Sequence, residues 1–185
     1  MLILFIFAFQ IYQFLVLDIK KIKNKWKAEY EEEIHASSIQ LWNLISAPSN
    51  LELFHPFCKS NATIKWPGEN SIDELVYLNG LNYVRNFHSW DELKGYSLFI
   101  GEKGKGQSYV VWEIFSKKES LFLKITVYPY FLRNFPKLIS YIPYKLIVIP
   151  ALETYLKSVI GGINYYLRSK TKTPKNYFGH HKWFS

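Results

Sequence analysis

A single cysteine, Cys58, among 185 residues excludes an internal disulfide and any zinc site built from cysteine pairs. The usual catalytic signatures are missing as well. No two histidines stand one helical turn apart to hold a metal, no nucleophile elbow is present, and no Walker loop opens a helix. Neither a repeat, a heptad nor a low-complexity stretch occurs. Acidic residues are scarce, 15 against 23 lysines and arginines, and the net charge of +8 gathers at the two ends of the chain rather than along one strand. No strand clusters basic with aromatic side chains, which argues against nucleic acid as a partner. The two sequence-local candidates are weak. His55 and Cys58 stand close, but a thiol nucleophile needs an electropositive setting and an orienting third group. His180 and His181 are adjacent, so they point apart in an extended chain, which suits a solvated tail better than a metal. No cofactor and no metal site are expected.

What is abundant is aromatic surface, 18% of the chain from 6 Trp, 14 Tyr and 14 Phe, which fits a large core or a bulky apolar ligand. The clearest single element is the stretch 150–169. There Leu152, Tyr155, Leu156, Val159, Ile160, Ile163, Tyr166 and Leu167 recur at steps of three and four and form one wide apolar stripe. Pro150 suits a first turn, and Arg168 and Lys170 suit the end where the helix dipole favours cations. At about 1.5 Å per residue this helix is roughly 28 Å long, enough to cross a small sheet. Gly161 and Gly162 interrupt it at about 1 kcal/mol each relative to Ala, so they imply either close approach of the helix to a sheet or room for a ligand beneath it.

Residues 1–17 are apolar except for Gln10 and Gln13, carry no charge, and stop against Lys20, Lys21, Lys23, Lys25 and Lys27. A cleavable signal would put the basic residues first and offer a small-residue cleavage site. The order found suits an apolar anchor helix, with the lysines on the cytoplasmic side. The alternatives are a buried helix and an extension from an early start codon. An imperfectly alternating strand is expected over 26–36, then a short helix capped at Ser37-Ser38, and a second over 50–54. A meander of six strands follows, at 62–66, 72–78, 81–90, 96–102, 107–116 and 121–128, with Asn79-Gly80 as its strongest hairpin signal. The stretch 129–149 is apolar and aromatic, broken by Pro136 and Pro143, and carries Arg133, Lys137 and Lys145. It suits a lid over a cavity, a surface resting on lipid headgroups, or a packed connection. The lysine-rich tail holds Tyr177, Phe178, Trp183 and Phe184, too much apolar surface to leave free, so it is expected to dock back.

This order, together with Ile34-His35-Ala36-Ser37 leading into Leu41-Trp42-Asn43-Leu44-Ile45, then Asn50-Leu51-Glu52, Trp112-Glu113-Ile114 and Tyr155 to Gly162, resembles the SRPBCC superfamily of START domains, polyketide cyclases and plant pathogenesis-related proteins. The closing stretch Asn176 to Ser185 is similar to the tail of uncharacterised bacterial members. The resemblance implies an α+β helix-grip fold: a curved seven-stranded antiparallel sheet, two short helices and a long C-terminal helix, here with an apolar N-terminal helix added. It divides the chain into residues 1–25, a helix-grip domain over 26–170, and a tail over 171–185. It further implies an apolar cavity between sheet and helix that holds a lipid or other hydrophobic molecule. The family's glycine-rich loop lies nearer the second and third strands, so no phosphate role is carried onto Gly101, Gly104 or Gly106. Candidate ligand-binding residues are Arg85, Phe87, His88, Trp112, Glu113 and Tyr128 on the strands, and Tyr155, Val159, Gly162 and Ile163 on the helix. Alternation leaves open whether the polar ones face the cavity or the solvated side; if Arg85 faces inward, a glutamate such as Glu113 is the default partner. The expected function is carriage of a hydrophobic small molecule or lipid by a monomer at the cytoplasmic face of an anionic membrane. The rival is a cyclase or dehydratase using Glu113 and His88 as acid and base. A third reading fills the cavity with side chains.

Overall fold

The computed structural model describes residues 19–23 and 25–185; the apolar helix and anchor expected over 1–17 lie outside the described residues. The elements in chain order are β1 (Ala28–Ile34), α1 (Ser38–Ile45), α2 (Leu51–Phe54), β2 (Cys58–Lys65), β3 (Ile72–Tyr77), β4 (Asn82–Asp91), β5 (Gly95–Gly101), β6 (Ser108–Lys117) and β7 (Ser120–Tyr128). After them come α3 (Lys137–Pro143), a π-helical turn (Tyr144–Val148) and α4 (Ile149–Ser169). The strands form one antiparallel seven-stranded sheet in the order β1-β7-β6-β5-β4-β3-β2. Tight hairpins set the run from β2 to β7, and α1 and α2 carry the chain from the β1 edge to the β2 edge. With α4 lying against β1 and β7, this is a helix-grip fold.

The alternation of the strands decides which face is the core. Val110, Trp112 and Ile114 of β6 and Leu123, Ile125 and Val127 of β7 are buried on the inner face, whereas Glu113 and Lys124 pair at 2.8 Å on the outer one. Fully burying one such aliphatic side chain contributes about 1.5–3 kcal/mol. α1 starts on a capping box, with Ser37 Oγ accepting from the Gln40 N–H and the Gln40 side chain accepting from the Ser37 N–H. α4 has Pro150 in its first turn and ends at Lys170 in the left-handed region with φ 57°. The Asn164 side chain donates to the Glu33 carbonyl at 2.9 Å and fixes the helix to β1.

Two local features break the simple pattern. β4 carries a bulge between Phe87 and Ser89, so strict alternation fails there. Trp90 comes round to the inner face and packs against Trp42, Trp66 and Tyr96 with ring centroids 5.1–5.8 Å apart. The glycine pair in α4 faces neither the sheet nor a ligand. A Cβ on Gly162 would overlap the Phe54 carbonyl oxygen, so this glycine lets α4 press on the end of α2; one on Gly161 would meet the Phe178 ring at 2.8 Å. A third glycine, Gly106, seats the segment that leaves β7, because a Cβ there would overlap the Tyr130 ring.

The tail wraps back across α2 and α4. Thr173 N–H donates to Leu53 O at 2.9 Å, Asn176 N–H to Pro56 O at 3.0 Å, and Thr173 Oγ1 to Gly162 O at 2.9 Å. His181, expected in a solvated tail, is buried instead, its Nε2 bonded to Ala151 O at 3.0 Å, while His180 stays exposed. The backbone hydrogen bonds of the tail, invisible to composition, hold it in place.

Candidate functional site

Between the inner face of the sheet and α4 lies a cavity of about 540 Å³. Its walls are apolar: Leu98, Val110, Ile125 and Val127 from the sheet, and Leu152, Leu156 and Val159 from α4. The α4 residues reach it because steps of three and four place them on one stripe. Phe131 and Ile147 line the cavity and are also 59% and 60% exposed, so the mouth opens beside the segment between β7 and α4. Trp183 and Phe184 of the tail close another side; Phe184 lies 4.5 Å from the Tyr77 ring and 4.6 Å from that of Tyr155.

Polar groups reach the cavity from β3, β4, α4 and the residue after α2. Arg85 lines it, and its buried guanidinium is matched to Asp73 directly across the β3–β4 pair. Nε donates to Oδ1 at 2.8 Å and Nη2 to Oδ2, a bidentate match. Burial opposes the charge on Arg85, and the Asp73 carboxylate outweighs it, so Arg85 is held protonated. Such a buried cation is tolerated only because it is paired.

Beside it runs a short chain of hydrogen bonds. His55 Nδ1 accepts from the Phe57 N–H at 3.2 Å, which puts the ring proton on Nε2 and makes that nitrogen the donor to the Tyr155 hydroxyl at 2.8 Å. Tyr155 and Tyr77 hydroxyls are 3.1 Å apart. One contact between two hydroxyls uses one proton, so a second O–H remains to donate to a ligand. Burial, helped by the charges of Arg85 and Lys175, pushes His55 down to about 3, so it is neutral. Burial raises both tyrosines, Tyr77 further by its neighbour Tyr155. The cluster therefore offers fixed donors and a cation, with no group poised to exchange protons near neutrality.

Of the ten residues singled out from the sequence, Arg85, Trp112, Tyr155 and Val159 line the cavity. The others do not. His88 is exposed on the outer face with its ring 5.9 Å from Phe99, and Glu113 points outward to Lys124. Tyr128 shares that outer face, its ring 6.1 Å from Tyr109. Phe87 is buried against Trp66, Trp90 and Tyr96, Ile163 is core, and Gly162 backs onto Phe54. The partner of Arg85 is Asp73, not a glutamate, because the β3–β4 register sets these two opposite each other. Glu113 and His88 lie outside the cavity, so they are not its acid and base. Sequence reasoning missed His55, Tyr77 and Tyr83. For Tyr77 the signal was present, since Asp73, Leu75 and Tyr77 alternate on one face of β3. His55 was read only beside Cys58, whose thiol burial pushes up to about 12, a structural and unreactive group.

No family model matches the sequence, and no curated protein matches it. Solved structures do match in fold. DynU16, a protein of the dynemicin biosynthetic locus, aligns over 79% of this chain at 11% identity with a TM-score of 0.60; this chain spans 48% of DynU16, about half its length. Ara h 8.0201 aligns over 78% of this chain and 98% of its own, at 11% identity and a TM-score of 0.55. SA2116 from Staphylococcus aureus aligns over 78% and 94%, at 13% identity and a TM-score of 0.60. At such identities the likeness concerns the fold alone, which is helix-grip.

Proposed function

We propose that this protein binds and carries a hydrophobic small molecule or lipid in the cavity beneath α4, close to the membrane surface. The observation that carries the reading is the apolar hollow of about 540 Å³ with Arg85 and a spare tyrosine hydroxyl on one side. Apolar ligand surface entering it is stabilised by about 25 cal/mol per Å². The polar groups give the ligand a direction, favouring one oxygen-bearing end, carbonyl, hydroxyl or carboxylate, against Arg85 and the tyrosines. The apolar run over 1–17 and its lysine flank support a place at the cytoplasmic face of an anionic membrane.

A cyclase or dehydratase in the same cavity is the alternative. General acid–base catalysis works best with a group that changes charge near the working pH. Among the described cavity-lining residues His55 stays neutral, Tyr77, Tyr83 and Tyr155 keep their protons, and Arg85 stays charged, which favours binding over turnover.

The test is native mass spectrometry of the full chain after mild detergent extraction, with uptake of fluorescent fatty-acid and phospholipid analogues. A co-bound amphiphile is expected, with uptake weakened roughly 5- to 10-fold in Tyr77→Phe with Tyr155→Phe, about 1–1.5 kcal/mol for the lost hydrogen bond. A chain that carries nothing and takes up no analogue overturns the reading.

A further inference from the structure

The segment 129–148 presents an apolar ridge to solvent. Phe135 is 50% exposed, Leu138 88%, Ile139 66%, Ile142 66% and Leu146 71%. Steps of three and four put Leu138, Ile139, Ile142 and Leu146 along one side of α3 and the π turn, an apolar strip where a soluble helix would carry polar residues, with Phe135 just ahead of it in the chain. No Asp or Glu occurs between Pro129 and Ile149, while Arg133, Lys137 and Lys145 do. The strip adjoins the cavity, because Phe131 and Ile147, exposed in the same segment, also line it. It also adjoins the stem of the N-terminal run. The Trp26 indole N–H donates to Ser140 Oγ at 2.9 Å, and its ring lies 5.8 Å from Tyr144 and 5.7 Å from Tyr141, with the Lys137 ammonium 5.9 Å away.

We propose that this ridge dips into the headgroup region of an anionic bilayer, with Trp26 and the three cations at the water boundary, so that the cavity mouth opens onto lipid. Aromatic and basic groups rimming an apolar strip are the pattern of an interfacial helix. Two other covers fit less well. A second copy related by a two-fold axis would bring a second set of the same three cations, and no carboxylate of this segment, into the interface. Residues 1–17 carry only Gln10 and Gln13 as polar groups, so laid over the ridge they would move apolar surface outward rather than hide it. The proposal deepens the carrier reading by naming the surface and the lipid charge it meets.

The experiment uses the full chain, with an environment-sensitive fluorophore on Leu138→Cys, on Ile142→Cys and, as control, on Glu92→Cys in the exposed β4–β5 turn. Cys58 is fully buried, so the label goes to the new thiol. On vesicles of phosphatidylcholine with phosphatidylglycerol, labels at 138 and 142 should shift to the blue and be quenched by spin-labelled lipid, while the label at 92 stays unchanged. Lys137→Glu with Lys145→Glu should remove the preference over phosphatidylcholine alone. If residues 1–17 hold the chain on vesicles while both ridge labels remain in water, the proposal is overturned. It is equally overturned if the labels are already shielded without vesicles, in a dimer or by the chain's own N-terminal run. Insertion in a chain that carries no lipid keeps this proposal and removes the carrier reading.

Discussion

Two segments close the cavity, and they do so in opposite ways. The stretch 129–148 is rich in apolar residues and leaves many of them in water; the tail 171–185 is rich in lysine and is firmly seated. The difference lies in hydrogen bonds. The tail returns two backbone N–H groups to the α2 region and carries side-chain bonds to α4 and β2, with Phe184 sunk among Tyr77, Tyr155 and His181. The other segment is tied to the rest through Trp26 to Ser140, the Tyr130 N–H to Ser108 and Arg133 to the Gln107 carbonyl at 3.4 Å, while the bond from the Tyr144 hydroxyl to the Phe131 carbonyl is internal to it. One is a wall and the other, at the mouth, a door.

The sharpest way to break this contrast is Phe184→Ala. Emptying a buried aromatic site should cost about 3–5 kcal/mol, seen as a lower midpoint in chemical denaturation. An unchanged midpoint would make the tail ornamental. Next comes acid. His55 has its folded value depressed to about 3, so above its ordinary value of 6.5 its contribution is fully present. As the pH falls below that, the unfolded chain takes up a proton that the folded one refuses, and stability drops by up to about 1.4 kcal/mol per pH unit. Between pH 6.5 and 5 the loss should reach roughly 2 kcal/mol, and His55→Gln should flatten it; an equal slope in the variant would place the acid sensitivity elsewhere. The smallest effect belongs to the door. Leu138→Ala should alter stability by less than about 0.5 kcal/mol, as an exposed position does, and a larger loss would mean that the ridge is packed in solution.

Much of the architecture could be read from residues, because tight turns and two-residue alternation constrain the meander strongly. Ser37 caps α1 and the last helix ends at Ser169 as expected, whereas the start expected at Pro150 is only the junction with the π turn inside a longer rod. The bulge after Phe87 is where this logic gives out, since one added residue inverts the faces beyond it and leaves no mark in composition. Only part of the site was visible. Arg85 and Tyr155 stood out by chemistry, but His55 joins them across a hundred residues of chain through one 2.8 Å contact. Spacing cannot report such a meeting. The outward faces of His88 and Glu113 could not be chosen from alternation alone, which fixes relative sides and not which side is inside.

Helix α3, the π turn and α4 form one uninterrupted rod from Lys137 to Ser169. Its distal half is bolted at Asn164 to Glu33 and at Gly162 to α2. A π turn accommodates one residue more than an ordinary turn, and at 3.6 residues per turn each residue corresponds to about 100° of rotation. That extra residue slows the drift of a row spaced by four, so Ser140, Tyr144, Val148 and Leu152 all stay buried along one line of the rod, and the side chains this leaves outward on the proximal half are those of the exposed ridge.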